Sequence, residues 1–197
     1  MPGSPASAPG STNKARPHGS GSDGNELRLL ADGMLGSLAR KLRVFGVDTE
    51  YSSGEDDGEL VRAAKAQHRT IVTADKLLAT RASKAGVGCI LVRGRTDAAR
   101  LREVISGAQG LGATPTRARS RCSLCNGVLR STSKKGLQGV LPPGITEHHR
   151  VFYACGHCGQ IYWKGTHWKK LRGLRARSWL KKTPTDQNRQ TPNVSQF

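Results

Sequence analysis

Two Cys-x-x-Cys pairs, Cys122-Ser-Leu-Cys125 and Cys155-Gly-His-Cys158, have the spacing of metal ligands. Each pair bends tightly enough to offer two sulfurs to one ion, and two pairs close a tetrahedral shell with no open position. A closed shell holds a fold and leaves no place for a substrate, so the expectation is structural Zn²⁺. The rival is two disulfides. The N-terminus carries no apolar run of the secretory kind, which favours a reducing, cytoplasmic setting and a metal. The segment between the pairs is longer than in the tightest fingers and implies a hairpin or loop excursion, as in a zinc ribbon. His157 lies inside the second pair, but four cysteines already fill the shell. His148 and His149, in the excursion, read as surface. The fifth cysteine, Cys89, lies in an apolar run and reads as a small core residue.

Four acids form a second set. Asp32 follows the apolar run 27–31, Asp75 follows the run 70–73, Asp57 opens a helical stretch, and Asp97 comes after the run 87–92. Acids just beyond parallel strands converge on the crevice where open α/β sheets bind ligands. Clustered carboxylates repel one another unless a cation intervenes. The suitable cation is hard, Mg²⁺ or Mn²⁺, held by a few carboxylates and several waters. Such a centre serves in-line displacement at phosphorus, the chemistry of a nuclease. The competing reading is capping: Asp32, Asp56, Asp57, Asp75 and Asp97 all stand at helix starts, where a carboxylate satisfies backbone N–H groups and favours the dipole. Spacing alone leaves both open.

The elements that must position these acids alternate. Residues 27–31 read as a buried strand. Met34, Leu35, Leu38, Leu42 and Phe45 recur at helical spacing, with Gly46 as the stop. Val47, Thr49 and Tyr51 alternate like a strand, and Leu60, Val61, Ala63 and Ala64 suit a helix. A strand over 70–73, a helix over 77–85, a strand over 87–92 and a helix over 97–108 complete the pattern. Strand and helix in strict alternation predict a parallel sheet with helices on its faces.

Charge divides the chain unequally. Its net charge is +18; residues 26–110 hold 14 Lys/Arg against 11 Asp/Glu, whereas residues 111–182 hold 15 against a single acid, Glu147. A module so cationic calls for a polyanion, and nucleic acid fits best. No apolar stretch is long enough to span a membrane, and no amphipathic helix marks a membrane surface. Gly33-Met-Leu-Gly36 lacks the third glycine of the dinucleotide fingerprint, so no small-molecule cofactor is expected. Arg40, Lys41 and Arg43, on the helix after Asp32, are phosphate-holding candidates or that helix's solvated face. Tyr162, Trp163, His167 and Trp168 are interleaved with Lys164, Lys169 and Lys170, a mixture suited to stacking on unpaired bases. Trp163 is expected instead to pack the small ribbon against the first domain.

The ordered series Asp32-Gly-Met-Leu-Gly-Ser-Leu-Ala-Arg-Lys-Leu-Arg, Gly46-Val-Asp-Thr, Asp56-Asp57-Gly-Glu-Leu and Thr73-Ala-Asp75 resembles the mut-seven C-terminal ribonuclease family. Ser120-Arg-Cys-Ser-Leu-Cys-Asn-Gly127, Leu141-Pro-Pro and Cys155-Gly-His-Cys-Gly-Gln-Ile-Tyr-Trp-Lys-Gly-Thr-His-Trp168 extend the resemblance to roughly residues 27–171. The resemblance implies a PIN-like nuclease domain over 26–112, a linker over 113–120 and a basic zinc ribbon over 121–171. A disordered tail over 1–25, and a basic then disordered tail over 172–197, follow from composition. The implied activity is metal-dependent endoribonuclease cleavage, with Asp32 and Asp75 at the family's acidic positions and Asp57 in the middle motif, beside Asp56. Asp97 stands alone where the family often has two acids, which puts a second catalytic metal in question. The implied partner is RNA (tRNA, rRNA and mRNA are not distinguished). The alternative is a non-catalytic binder that docks its ribbon on structured RNA or the ribosome.

Overall fold

The computed structural model describes residues 26–113, 119–137 and 141–179, apart from the side chains of 143, 166, 167 and 176–179. The expected N-terminal tail, most of the expected linker and the chain from 180 onward lie outside the described residues.

The first part alternates as expected: β1 (Arg28–Ala31), a 3-10 turn (Gly33–Leu35), α1 (Gly36–Val44), β2 (Asp48–Tyr51), α2 (Asp57–Ala66), β3 (Thr70–Thr73), α3 (Lys76–Lys84), β4 (Cys89–Leu91) and α4 (Asp97–Gly110). The four strands form one parallel sheet in the order β2-β1-β3-β4. Both faces are covered, which is why β1 and β3 read as continuous apolar runs rather than alternating ones. Leu35, Leu38 and Leu42 of the α1 region, with Leu101 and Val104 of α4, bury one face. Leu60, Val61 and Ala64 of α2, with Leu78 and Ala82 of α3, bury the other. Gly46 (φ 94°) turns the chain out of α1 into β2, a conformation that would strain any other residue.

Chain direction matters for the site. The chain leaves β1 toward β2, then returns past β1 to β3. It therefore reverses between β1 and β3, and the crevice beyond their carboxyl ends is the place where such sheets bind ligands.

A second, antiparallel sheet follows: β5 (Leu129–Thr132), β6 (Phe152–Cys155) and β7 (Ile161–Trp163), in the order β5-β6-β7. The excursion between β5 and β6 holds a short 3-10 turn (Lys135–Leu137) and α5 (Pro143–His148). The last helix, α6 (Thr166–Trp179), runs through the boundary expected at residue 171 and returns to the first sheet. Its Leu171 and Leu174 pack against the α1/α4 core, and the Arg175 guanidinium lies 5.9 Å from the centre of the Phe45 ring. No helix among the described residues is long and apolar enough to cross a membrane.

Two expectations about packing are corrected. Met34 is 72% exposed, because it belongs to the 3-10 turn, whose tighter period takes it off the Leu38/Leu42 stripe. Leu77 of α3 is likewise exposed, at 76%, while Leu78 and Ala82 of that helix face inward. Trp163 does not wedge the small sheet against the large one. It is part-exposed on the edge strand β7 and faces His149, with ring centres 6.3 Å apart. The docking it was expected to supply comes from α6 and from the first cysteine knuckle.

Candidate acid crevice and cysteine site

Asp32 stands where β1 ends. Its N–H donates to the Val72 carbonyl (3.1 Å), which carries the sheet ladder one residue further and sets Asp32 beside Thr73. The Asp32 carboxylate accepts the Met34 N–H (2.6 Å) and, through its second oxygen, the Thr73 hydroxyl. The same hydroxyl accepts the Asp75 N–H (2.9 Å). Asp75 in turn caps α3, accepting the N–H groups of Leu77 (2.6 Å) and Leu78 (3.4 Å). Thr73, fully buried, thus ties the Asp32 carboxylate to the turn that carries Asp75. Sequence reasoning quoted Thr73 only as part of a motif; a hydroxyl two residues before a capping acid at a strand end was the available signal.

Asp32 is 4% exposed, yet none of the ion pairs among the described residues involves it. A buried carboxylate is costly without a compensating charge. Two neutral donors are a partial compensation, and the arrangement suits a cation from solution. Cys89 reflects the same charge: burial first, and Asp32 second, push its thiol up to about 11, the behaviour of an inert core thiol.

The other two acids are held differently. Asp57 is the first residue of α2 and pairs with Arg81 of α3 (3.1 Å), while its neighbour Asp56 is the cap, accepting from Gly58 (2.6 Å) and Glu59 (2.9 Å). Those two backbone donors, Glu59 before Gly58, hold the exposed Asp56 carboxyl below its ordinary range. Asp97 opens α4, whose cap is Thr96, and pairs with Lys41 of α1 (3.1 Å). The loop before it is pinned: Glu103 accepts the N–H groups of Arg93 (2.9 Å) and Gly94 (3.0 Å). Capping and ion pairing therefore divide the acids, and among the described residues no group of three acids is drawn together as metal ligands are.

The cysteines are drawn together. The four sulfurs of Cys122, Cys125, Cys155 and Cys158 lie within 4.8 Å of one another, with 3.5 Å between Cys122 and Cys158 and 3.4 Å between Cys125 and Cys155. A tetrahedron of thiolates about 2.3 Å from zinc needs sulfurs a little under 4 Å apart, so the set fits that ion. Each knuckle closes in the same way: Asn126 N–H to Cys122 O (3.0 Å) in the first, Gly159 N–H to Cys155 O (3.0 Å) in the second, and both residues have positive φ (64° and 73°). Gly127 has no room for a side chain, since a Cβ there would lie 2.8 Å from the Cys155 sulfur. Burial would raise the Cys122 thiol, but the Tyr162 hydroxyl (3.0 Å) and the Cys125 and Leu124 N–H groups outweigh it and bring it to about 6. His157 is exposed and donates its N–H to the Cys155 sulfur (3.4 Å).

The first knuckle also sits on the outer edge of β2. The Asn126 side chain accepts the Thr49 N–H (3.1 Å) and donates to Asp48 (2.8 Å) and Glu50 (3.0 Å). Asp48 also pairs with the buried Arg69 (2.7 Å) and with Arg121 (3.4 Å). Arg43 completes this clamp, and its place among phosphate-holding residues is corrected. It is 5% exposed and donates to the carbonyls of Thr49 (2.7 Å), Ser123 (3.0 Å) and Leu124 (2.9 Å), so its guanidinium is used up between sheet and knuckle. Burial pushes its pKa down, against the opposing charges of Glu50, Cys122 and Cys125.

The remaining basic candidates are at the surface. Arg40 is exposed, and Lys41 bonds the Ser37 hydroxyl (2.6 Å) besides Asp97. Lys164, Lys169 and Lys170 are exposed, and the Lys164 ammonium stands 6.0 Å from the ring centres of both Tyr153 and Trp168. The His167 side chain lies outside the described residues.

No curated protein and no solved structure gives a significant match to this chain. The Mut7-C RNAse domain matches residues 27–174, a span that takes in both sheets, the acid crevice, the four cysteines and most of α6. The chain belongs to the Mut7-C RNAse domain family.

Proposed function

We propose that this protein is a metal-dependent endoribonuclease that hydrolyses RNA phosphodiester bonds at the crevice between β1 and β3. One observation carries the reading: a buried carboxylate, Asp32, lies where the chain reverses its course across the parallel sheet, between β1 and β3, and has no cationic partner among the described residues. Asp32 and Asp75 would hold Mg²⁺ or Mn²⁺, a hard ion that keeps several waters when few carboxylates bind it. The ion would supply positive charge to the phosphodiester and acidify water. Asp57 and Asp97 open α2 and α4, and because Arg81 and Lys41 already hold them, one ion is the simpler reading. Thr73 orients the Asp32 carboxylate relative to Asp75.

The cationic ribbon supplies the grip. Zn²⁺ in the four-cysteine site would hold the two knuckles, and the exposed Lys164, Lys169 and Lys170, with Arg40 on α1 and Trp168 beside Lys164, would meet RNA phosphates and bases. A reducing compartment such as the cytoplasm suits the thiolates.

Total cellular RNA incubated with the zinc-loaded protein tests this. Fragments should form with Mg²⁺ or Mn²⁺ and vanish with Asp75→Asn, which keeps a side chain able to cap α3, while RNA binding persists. Undiminished cleavage by Asp75→Asn would remove the crevice from the mechanism. Salt-sensitive binding by the wild type, with no cleavage of any RNA, would replace the nuclease by a non-catalytic RNA binder.

A further inference from the structure

Met34 and Leu77 occupy the same position in two equivalent turns. In each, an aspartate carboxylate accepts the N–H of the residue two positions on: Asp32 from Met34 (2.6 Å) and Asp75 from Leu77 (2.6 Å). The turns leave the neighbouring strands β1 and β3, whose last paired residues are Ala31 and Val72; Asp32 is therefore level with Thr73, and the turn at Asp75 starts two residues further along. Both side chains point to solvent, at 72% and 76% exposure. One exposed apolar side chain is ordinary on any surface. Two at one position of a repeated turn, on either side of one crevice, form a pair of apolar lips.

The lips are held firmly. The Tyr51 hydroxyl donates to the Gly33 carbonyl (3.0 Å), in the turn that carries Met34. Its ring lies against Gly36, where a Cβ would come within 3.1 Å of the phenol oxygen. On the other side, Leu77 is in the first turn of a capped helix. Neither backbone is free to fold its apolar side chain inward, so the exposure is built into the turns.

We infer that Met34 and Leu77 grip the face of an unpaired nucleobase next to the scissile phosphate, so that the enzyme cuts where RNA is single-stranded. This rests on the nuclease reading above. The chemistry is direct: a base has an apolar π-face, a thioether packs well on such a face, and a leucine covers it by contact. A phosphate held at Asp32 and Asp75 leaves its flanking base within reach of side chains two residues away. In a duplex that base is stacked and paired, and its face is closed to the lips.

Met34→Ser/Leu77→Ser, a double change at two exposed positions, tests the inference, with an unchanged melting midpoint as the control for folding. With Mn²⁺, the wild type should cut a single-stranded oligonucleotide at least about tenfold faster, in kcat/KM, than the same sequence as a duplex. The double variant should bring that ratio to about twofold by losing rate on the single strand alone. A double variant that keeps the wild-type ratio overturns the inference while leaving the nuclease intact. A second readout needs no cleavage. By fluorescence anisotropy, the zinc-loaded wild type should bind an oligouridylate about tenfold more tightly than an abasic ribose–phosphate oligomer of equal length. The double variant should narrow that gap; an unchanged gap overturns the inference even if Asp75→Asn has shown the protein not to be a nuclease.

Discussion

The two ends of the parallel sheet each hold an aspartate, buried at one end and partly buried at the other, and they treat it in opposite ways. At the amino end, Asp48 is met by Arg69 (2.7 Å), Arg121 (3.4 Å) and the Asn126 amide (2.8 Å). At the carboxyl end, Asp32 receives one N–H and one hydroxyl and, among the described residues, no cation. The first end is electrically finished and joins the ribbon to the sheet. The second is left short of positive charge, and a site that binds a metal must be short of it before the metal arrives. On the proposed reading, the acid that matters for function is set apart by its missing partner rather than by its burial.

Substituting each acid by its amide should separate the two ends. Asp32→Asn should cut the rate of RNA cleavage by about 10³- to 10⁴-fold while leaving the melting midpoint unchanged or raised, because it removes a buried charge that no cation among the described residues balances. Asp48→Asn should do the reverse. It leaves buried Arg69 without its closest carboxylate, a loss that costs about 3–5 kcal/mol in buried pairs, and the kcat of the fraction still folded should hold. Urea melts and single-turnover cleavage of both variants check the pair. A fall in kcat alone for Asp48→Asn would end the claim that the amino end is purely structural.

Much of the carboxyl end was legible in the sequence, because local signals set it. The runs that became β1 and β3 are mostly apolar, and an acid follows each within two residues. The cysteine pairs were legible for the same reason: a knuckle is four residues long. The amino end was not legible. Arg43 follows Arg40 and Lys41 and shares their apparent basic face, but its partners Ser123 and Leu124 lie 80 and 81 residues away. Asn126 reads as a turn residue, which its φ of 64° makes it; nothing local says that its amide also reaches Asp48 and Glu50 across the fold. Met34 was misread because a helical period was extended through a residue that belongs to a 3-10 turn. Contacts distant in sequence, and the exact register of helix starts, were what the pattern could not supply.

The clamp itself predicts a smaller effect at Asn126. Asn126→Gly keeps the positive φ of the knuckle, so the cysteine site should still form, but it removes three side-chain bonds to β2. The expected loss is about 1–3 kcal/mol, the range for leaving buried polar groups unsatisfied. Zinc content per chain, with amide exchange at Thr49, checks this. Faster exchange with full zinc is the expected outcome, and unchanged exchange would mean that Arg43 and α6 hold the ribbon unaided.

The smallest effect concerns pH and sharpens the comparison further. Burial would raise the Asp48 carboxyl, but the bond to Arg69, its charge, the Asn126 amide and the Arg121 charge outweigh it, and the net shift is downward. A carboxyl lowered in the folded state stabilises most fully above its unfolded value, about 3.9, and loses that contribution as pH falls through the folded value. Acid also protonates thiolates and so weakens a metal held by cysteines, which would mask the clamp in any melt of the wild type alone. The difference between wild type and Asp48→Asn removes that common loss, along with the similar low-pH contribution of Asp56, which both proteins keep. The stability gap between the two proteins should be constant from neutral pH down to about 5 and narrow steadily below about 4. A gap that stays constant through that range would show that Asp48 keeps its partners without its charge, and the amino end of the sheet would then be held by shape and neutral hydrogen bonds rather than by the charge balance that sets it apart from the crevice.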